Sequence, residues 1–248
     1  MTKTNQQKVK DFLINTGVII VMFILVIYTG FTSDNFFTKN NFMNILMNMS
    51  SRLVIALGIA GCVITAGCDL SAGRMIGFGA CISGMLLQRM DYSGKFFPDM
   101  QPLNVFVVAL IAMLVCAAFG TVTGFFIAYL NVPPFIATLA MMEIVYGIGL
   151  IVTNATPLGG YVEQYTNVSN GKFLGINYLI WIAIIVAAIT WFIFNMTRHG
   201  KYMYAIGGNP QAAEVAGVPV KATLILIYMK AAAMYLSLIH ISEPTRRS

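Results

Sequence analysis

Charge is scarce in this sequence. Asp, Glu, Lys and Arg make up only 10% of the 248 residues, against about 25% in a soluble globular domain. That shortage, beside 58% apolar residues, excludes an ordinary soluble enzyme and a disordered regulator. Cysteine is scarce too. Cys62, Cys68, Cys81 and Cys116 sit in apolar stretches without CxxC spacing, which excludes a disulfide scaffold and reads as small buried hydrophobes. The 22 glycines follow no triplet period, so a collagen-like chain is excluded as well. HExxH, GxSxG and Walker A motifs are missing, and the two carboxylates expected at membrane depth, Asp69 and Glu143, fall on different segments. No catalytic, metal or cofactor-binding residue is therefore assigned. The 15 basic residues outnumber 9 acidic ones, yet they are scattered between apolar tracts with no interleaved aromatic patch, so nucleic acid is not an expected partner.

Long hydrophobic runs are what the sequence has instead. Mean hydropathy is +0.78, and a helix needs roughly 20 apolar residues to cross the bilayer core, so the length allows about six to eight crossings. Phe12–Ser33 is uncharged and follows Lys3, Lys8 and Lys10. It reads as a retained first crossing with a cytoplasmic N-terminus, since no small-x-small cleavage site follows it. Phe42, Ile45, Leu46, Met49 and Leu53 share one helical face while Asn41, Asn44 and Asn48 share another. That pattern predicts an amphipathic segment at the membrane surface or leading into the next crossing. Further runs are Leu53–Cys68, Met75–Gln88, Leu103–Leu130, Pro134–Thr153 and Phe173–Thr197. Asn131-Val132-Pro133-Pro134 separates the fourth crossing from the fifth, because Pro lacks a backbone donor and biases its predecessor away from helix. The expected fold is an all-α polytopic bundle, with the polar segment from Arg198 to Lys221 on the cytoplasmic side.

Two polar interruptions carry the functional expectations. The first is Asp69-Leu70-Ser71-Ala72-Gly73-Arg74, between two short apolar runs. Short, Gly-interrupted segments that place polar groups at membrane depth point to a transport pathway. Asp69, Ser71 and Gly73 are the candidate residues of this broken helix. Asp69 or Ser71 would supply a side-chain oxygen to the helix beginning near Gly73, and Arg74 would pair with Asp69 or mark the membrane face. Gly73/Gly77 and Gly120/Gly124 have small-xxx-small spacing, which lets helices approach closely.

The second interruption runs from Gly207 to Val218. Asn209 suits a cap, Pro210 a first helical turn and Gly217 a helix end. The result is a helix of about two turns, too short to be stable alone. Spacing leaves open whether it packs on the bundle or on a soluble partner.

Three stretches carry a resemblance: "ALGIAGCVITAGCDLSAGR" (56–74), "AYLNVPPFIATLA" (128–140) and "GKYMYAIGGNPQAAEVAGVPV" (200–220). In this order they resemble the permease subunits of bacterial sugar ABC importers, most of all the galactose/methyl-galactoside branch with the ribose permeases related. The resemblance covers the chain to about Tyr235. It implies an inner-membrane permease domain over residues 1–235, working as two copies around a central passage. A periplasmic or lipid-anchored binding protein would deliver the sugar. A cytoplasmic ATP-binding cassette subunit would bind and hydrolyse ATP-Mg. The family's coupling helix falls on Asn209, Pro210, Ala212, Ala213, Ala216 and Gly217, and a charge at Ala213 is expected to uncouple ATP hydrolysis from uptake.

A seventh crossing begins at Ala222–Tyr235, where the family pattern continues but this chain reads "LSLIHISEPTRRS". That string resembles the in-frame translation of a transposase adapter from sequencing libraries. Residues 236–248 are accordingly expected to be a non-native tail on an incomplete permease. Two other readings compete with it. A secondary transporter or channel is expected to carry a coupling-ion site, for which Asp69 stands alone. A membrane-embedded enzyme has no supporting residues.

Overall fold

The computed structural model describes residues 5–33, 35–165 and 171–236. It comprises two units, 1–46 and 47–248. In the first, α1 (Asn5–Thr32) leads through a turn to the opening residues of α2 (Lys39–Ile64). The turn is held by Asn41 Nδ2 donating to the Phe36 carbonyl at 2.8 Å. Phe37 lies against Gly30. Most large apolar side chains of α1 from Val18 to Phe31 are exposed, as a lipid-facing helix requires.

Residues Asn41–Leu53 do not form a separate surface segment. No Pro or Gly interrupts the chain from Lys39 to Leu57, so the amphipathic stretch and the following crossing fuse into the single 26-residue α2. This helix stops at Ile64, four residues before the end of the apolar run. Ala66 adopts φ +57°, and Gly67 N–H donates to Cys62 O while Ala66 N–H donates to Val63 O. This 6→1 and 5→2 pair is the Schellman ending.

The second unit packs the remainder of α2 with α3 (Ala72–Leu86), α4 (Val105–Tyr129), α5 (Pro134–Thr153), α6 (Tyr178–Met196), α7 (Arg198–Gly208), α8 (Pro210–Val215) and α9 (Val220–Tyr235). Helices α2, α4, α5 and α6 are each long and apolar enough to cross a membrane. The 15 residues of α3 span only about 22 Å at 1.5 Å per residue, short of the roughly 30 Å hydrocarbon core. The break at 131–134 occurs as the prolines dictate, with Asn131 at φ +52°. The sixth run begins as helix only at Tyr178. Before it, Lys172–Phe173 pairs antiparallel with Ile176–Asn177, turning through Leu174 and Gly175 at φ +53° and +77°. Two positive φ values are what a tight hairpin turn needs. Asn177 then caps α6 by accepting from Leu179 N–H at 2.9 Å.

The core lies among α3, α4, α5 and α9, with Met75, Val108, Ala112, Cys116, Val145, Tyr228 and Tyr235 fully buried or nearly so. Two ends can be assigned. At one, Gly67 neighbours the start of α5 at Pro134, Gly207 abuts the Ile64 carbonyl, and Lys221 lies over the Tyr129 ring. At the other, Gln88 pairs with Tyr161 and donates to the Gly159 carbonyl at 3.1 Å. Between them, Cys116, midway along α4, donates its thiol to the Met75 carbonyl at 3.7 Å. The N-terminus of α3 therefore sits at mid-bundle.

Helices α4 and α9 make the closest backbone approach. A Cβ on Gly120 would fall 2.5 Å from the Tyr228 carbonyl oxygen, and one on Gly124 would fall 2.7 Å from Ile225 Cα. The Gly120/Gly124 spacing thus serves helix packing. Gly120→Val must push α9 away and is expected to destabilise the bundle by about 1–3 kcal/mol. Thermal unfolding in detergent checks this, and Gly147→Ala, where a Cβ meets nothing, serves as the reference.

Candidate functional site

Residues 65–71 link the end of α2 to the mid-bundle start of α3, and Asp69 is the centre of this link. Its side chain is buried, at 7% exposure. A carboxylate at such depth is stable only when its oxygens are satisfied, and here three donors do so. Asp69 Oδ1 accepts from Ser71 N–H at 2.9 Å and from Ser71 Oγ–H at 2.6 Å. Asp69 Oδ2 accepts from Tyr235 O–H at 2.8 Å, across 166 residues of sequence. Tyr228 O–H donates to the Cys68 carbonyl at 3.3 Å. Helix α9 therefore clamps the link at two points.

The capping expectation changes on this geometry. Ser71 occupies the N-cap position of α3, but its side chain makes no capping bond, because its hydroxyl is turned to Asp69. Asp69 braces the turn before the helix instead of the helix amides. Nor does Arg74 turn to Asp69. Its guanidinium lies 3.9 Å over the Tyr146 ring of α5, on the exposed side of α3. Gly73 is exposed there as well, and a Cβ on it would meet nothing. The three predicted residues thus divide, Asp69 and Ser71 in the buried brace and Gly73 on the open face.

The second site is the α7–α8 corner. Thr197 Oγ1 accepts from Gly200 N–H at 3.3 Å to start α7, a helix that its polar composition had hidden. Asn209 Oδ1 accepts from Ala212 N–H at 3.0 Å, Pro210 fills the first turn, and Gly217 closes α8 at φ +83°. Val218 N–H reaches Ala213 O and Gly217 N–H reaches Glu214 O, a second Schellman ending. The faces of α8 differ. Ala213 points inward at 4% exposure, whereas Val215 is 91% exposed with Ala212 and Ala216 exposed beside it. The outward residue that sequence reasoning passed over is Val215. Its signal was the i, i+3, i+4 phase it shares with Ala212 and Ala216.

A family described as the branched-chain amino acid transport system / permease component matches residues 41–234. The chain belongs to this family of membrane permeases, and it is a transport component, not an enzyme. It is 39% identical to the galactose/methyl galactoside import permease protein MglC of Escherichia coli K12, over 95% of this chain and 72% of the relative. The Haemophilus influenzae Rd protein of the same name is 40% identical, with the same coverage. The ribose import permease protein RbsC of Escherichia coli K12 is 31% identical over 88% of this chain and 66% of the relative. No solved structure matches. Family and apolar helices together make the chain a multi-pass inner-membrane protein.

Two predictions follow from the site. Tyr235→Phe removes one donor to a buried carboxylate and is expected to cost about 1–3 kcal/mol. Tyr228→Phe, which frees only a neutral carbonyl, is expected to cost less, and denaturant titration of both variants checks the order. At the start of α7, burial lowers the His199 pKa, and the charge of Lys230 lowers it further. A lowered value means that the unfolded chain takes up its proton first. Stability is therefore full above the unfolded value near ~6.5 and falls as pH drops below it. Melting curves at pH 7.5 and 5.5 should show this fall, reduced in His199→Gln.

Proposed function

We propose that this chain is the membrane-spanning permease of an ATP-driven importer for a monosaccharide of the galactose/methyl-galactoside class. The single observation that carries the reading is 39–40% identity to galactoside import permeases across 95% of the chain. The α7–α8 corner supports it by offering a small, capped, outward helix that exposes Ala212, Val215 and Ala216. A cytoplasmic ATP-binding cassette subunit docks on Ala212, Val215 and Ala216. That subunit holds ATP-Mg, and this chain binds no cofactor.

Orientation follows from charge. The α7–α8 end carries Arg198, Lys201 and Lys221 with Glu214 as its acid, while the opposite loops mix Arg89, Lys95 and Lys172 with Asp91, Asp99 and Glu163. The basic end is cytoplasmic, and so is the N-terminus. A periplasmic or lipid-anchored sugar-binding protein meets the loops at the opposite end. A second copy of the chain completes the passage.

The test uses the chain at its native locus. Uptake of labelled methyl galactoside is expected to vanish when the gene of the ATPase partner is deleted, and ATPase-independent uptake would instead indicate a secondary transporter. Docking is tested at the outward position. Val215→Glu is expected to cut uptake at least tenfold while the permease remains inserted and folded. Ala213→Glu buries a charge and is expected to lose folded protein as well, so it cannot isolate coupling. Normal uptake in Val215→Glu would sink the docking assignment.

A further inference from the structure

Charged side chains on the outer surface of this bundle should lie near its ends; among the described residues Arg52 in the middle of α2, Glu143 and Arg74 are exposed away from them, and the last two lie on helices packed together. Glu143 is the tenth residue of the 20-residue α5, about 15 Å from either end, and it is exposed. Arg74 opens α3 at mid-bundle, is also exposed, and lies over Tyr146. Tyr146 follows Glu143 by three residues and Gly147 follows it by four, so all three share one face of α5. Gly73, Arg74 and Gly77 share a face of α3 by the same spacing. A Cβ placed on Gly73, Gly77 or Gly147 would meet nothing within 4 Å. The α3–α5 pair thus presents a shallow polar strip, floored by glycine and bordered by one cation, one anion and a phenol.

Charged groups at the middle of a membrane face protein interior or water, not lipid. A second copy packed flush on the strip would bury Glu143 and Arg74 and need matching partners, whereas an aqueous passage needs none. The chemistry of the strip also suits one class of passenger. An uncharged polyol asks for donors and acceptors in balance with no net field. The guanidinium rim supplies donors and the carboxylate supplies acceptors, with the Tyr146 ring as an apolar flank. We infer that this strip is a wall of the sugar passage, and that Arg74, Glu143 and Tyr146 contact the sugar in transit. The inference rests on the proposed importer function and names the residues that serve it. Asp69 has no part in the contact, because its oxygens are committed to Ser71 and Tyr235.

The experiment has two arms, both in the assembled importer at its native locus. In the first, Glu143→Gln and Arg74→Gln are expected to lower maximal uptake of labelled methyl galactoside at least tenfold per assembled complex, and Glu143→Asp to recover part of it. Parent-level uptake in both Gln variants would overturn the sugar contact. In the second, Gly147→Cys is introduced into a background with Cys62, Cys68, Cys81 and Cys116 replaced. A charged, membrane-impermeant thiol reagent is expected to label it, and sugar-loaded binding protein with ATP to slow that labelling. Ile185→Cys, on an exposed apolar position of α6, should stay unlabelled. Equal resistance at the two positions, or spontaneous disulfide pairing of Gly147→Cys between copies, would overturn the passage wall in favour of lipid or a protein seam. The two failures are distinguishable. Loss of ATPase-dependent uptake in the parent strikes the importer reading itself, whereas unaffected variants in an active parent strike only the wall.

Discussion

The bond from Tyr235 to Asp69 is the constraint on which the rest of this bundle depends. A chain that turns back from one end of the bundle and runs to its middle without helix leaves backbone groups and, here, a carboxylate without water. The reversal at 65–71 is possible because α9 returns across it and supplies two phenols, one to the Asp69 carboxylate and one to the Cys68 carbonyl. Ser71 completes the set from within the turn. With its oxygens matched, Asp69 holds α3 at mid-bundle, and a 15-residue helix there need not reach from one surface to the other.

That arrangement binds the functional ends together. Helix α9 holds the turn on one side and is itself held against α4 by backbone contact at Gly120 and Gly124. Helix α7 ends with Gly207 on the Ile64 carbonyl, where α2 gives way to the turn. The short α8 follows within two residues, and α9 starts five residues after α8. A displacement of α8 therefore acts on both supports of the Asp69 turn, one through Gly207 and one through α9. Tight glycine contacts transmit such a displacement better than flexible side chains would, since interiors packed to this density have few ways to absorb it.

What the sequence disclosed followed from how local the governing physics is. The break at Asn131–Pro134 and the limits of α8 at Asn209, Pro210 and Gly217 were legible because each depends on a backbone rule acting within four residues. The helical character of α7 was hidden by its polarity, whereas the extension of α2 through Asn41, Asn44 and Asn48 is the second of the two readings their spacing allowed, a segment leading into the next crossing. The α2 extension contains no Pro or Gly, and the absence of a breaker outweighed polarity there. The partner of Asp69 was beyond reach. Nothing near Asp69 announces a tyrosine 166 residues later, and of the two readings of Arg74 the geometry removes the pairing with Asp69. The inward turn of Ala213 was hidden for a different reason, since a six-residue helix has too few positions to show its phase.

Arg74 and Asp69 together show how to separate structural from functional polarity in such a chain. Both lie at membrane depth, five residues apart, and composition treats them alike. Asp69 is buried with its oxygens matched to donors, so its polarity is consumed in holding the fold. Arg74 is exposed and stacked on one ring, and Glu143 stands exposed one turn from that ring. The fold gains little from either charge in that position, because an apolar side chain would suit a lipid-facing surface better. Polarity that the fold does not use internally has to be answered from outside the chain. On a permease at mid-bilayer, water and the passing solute are the partners that can answer it without burying a charge. On the proposed reading the two sets of polar residues divide between them the tasks of a transport pathway, one fixing the shape of the opening and the other facing what moves through it.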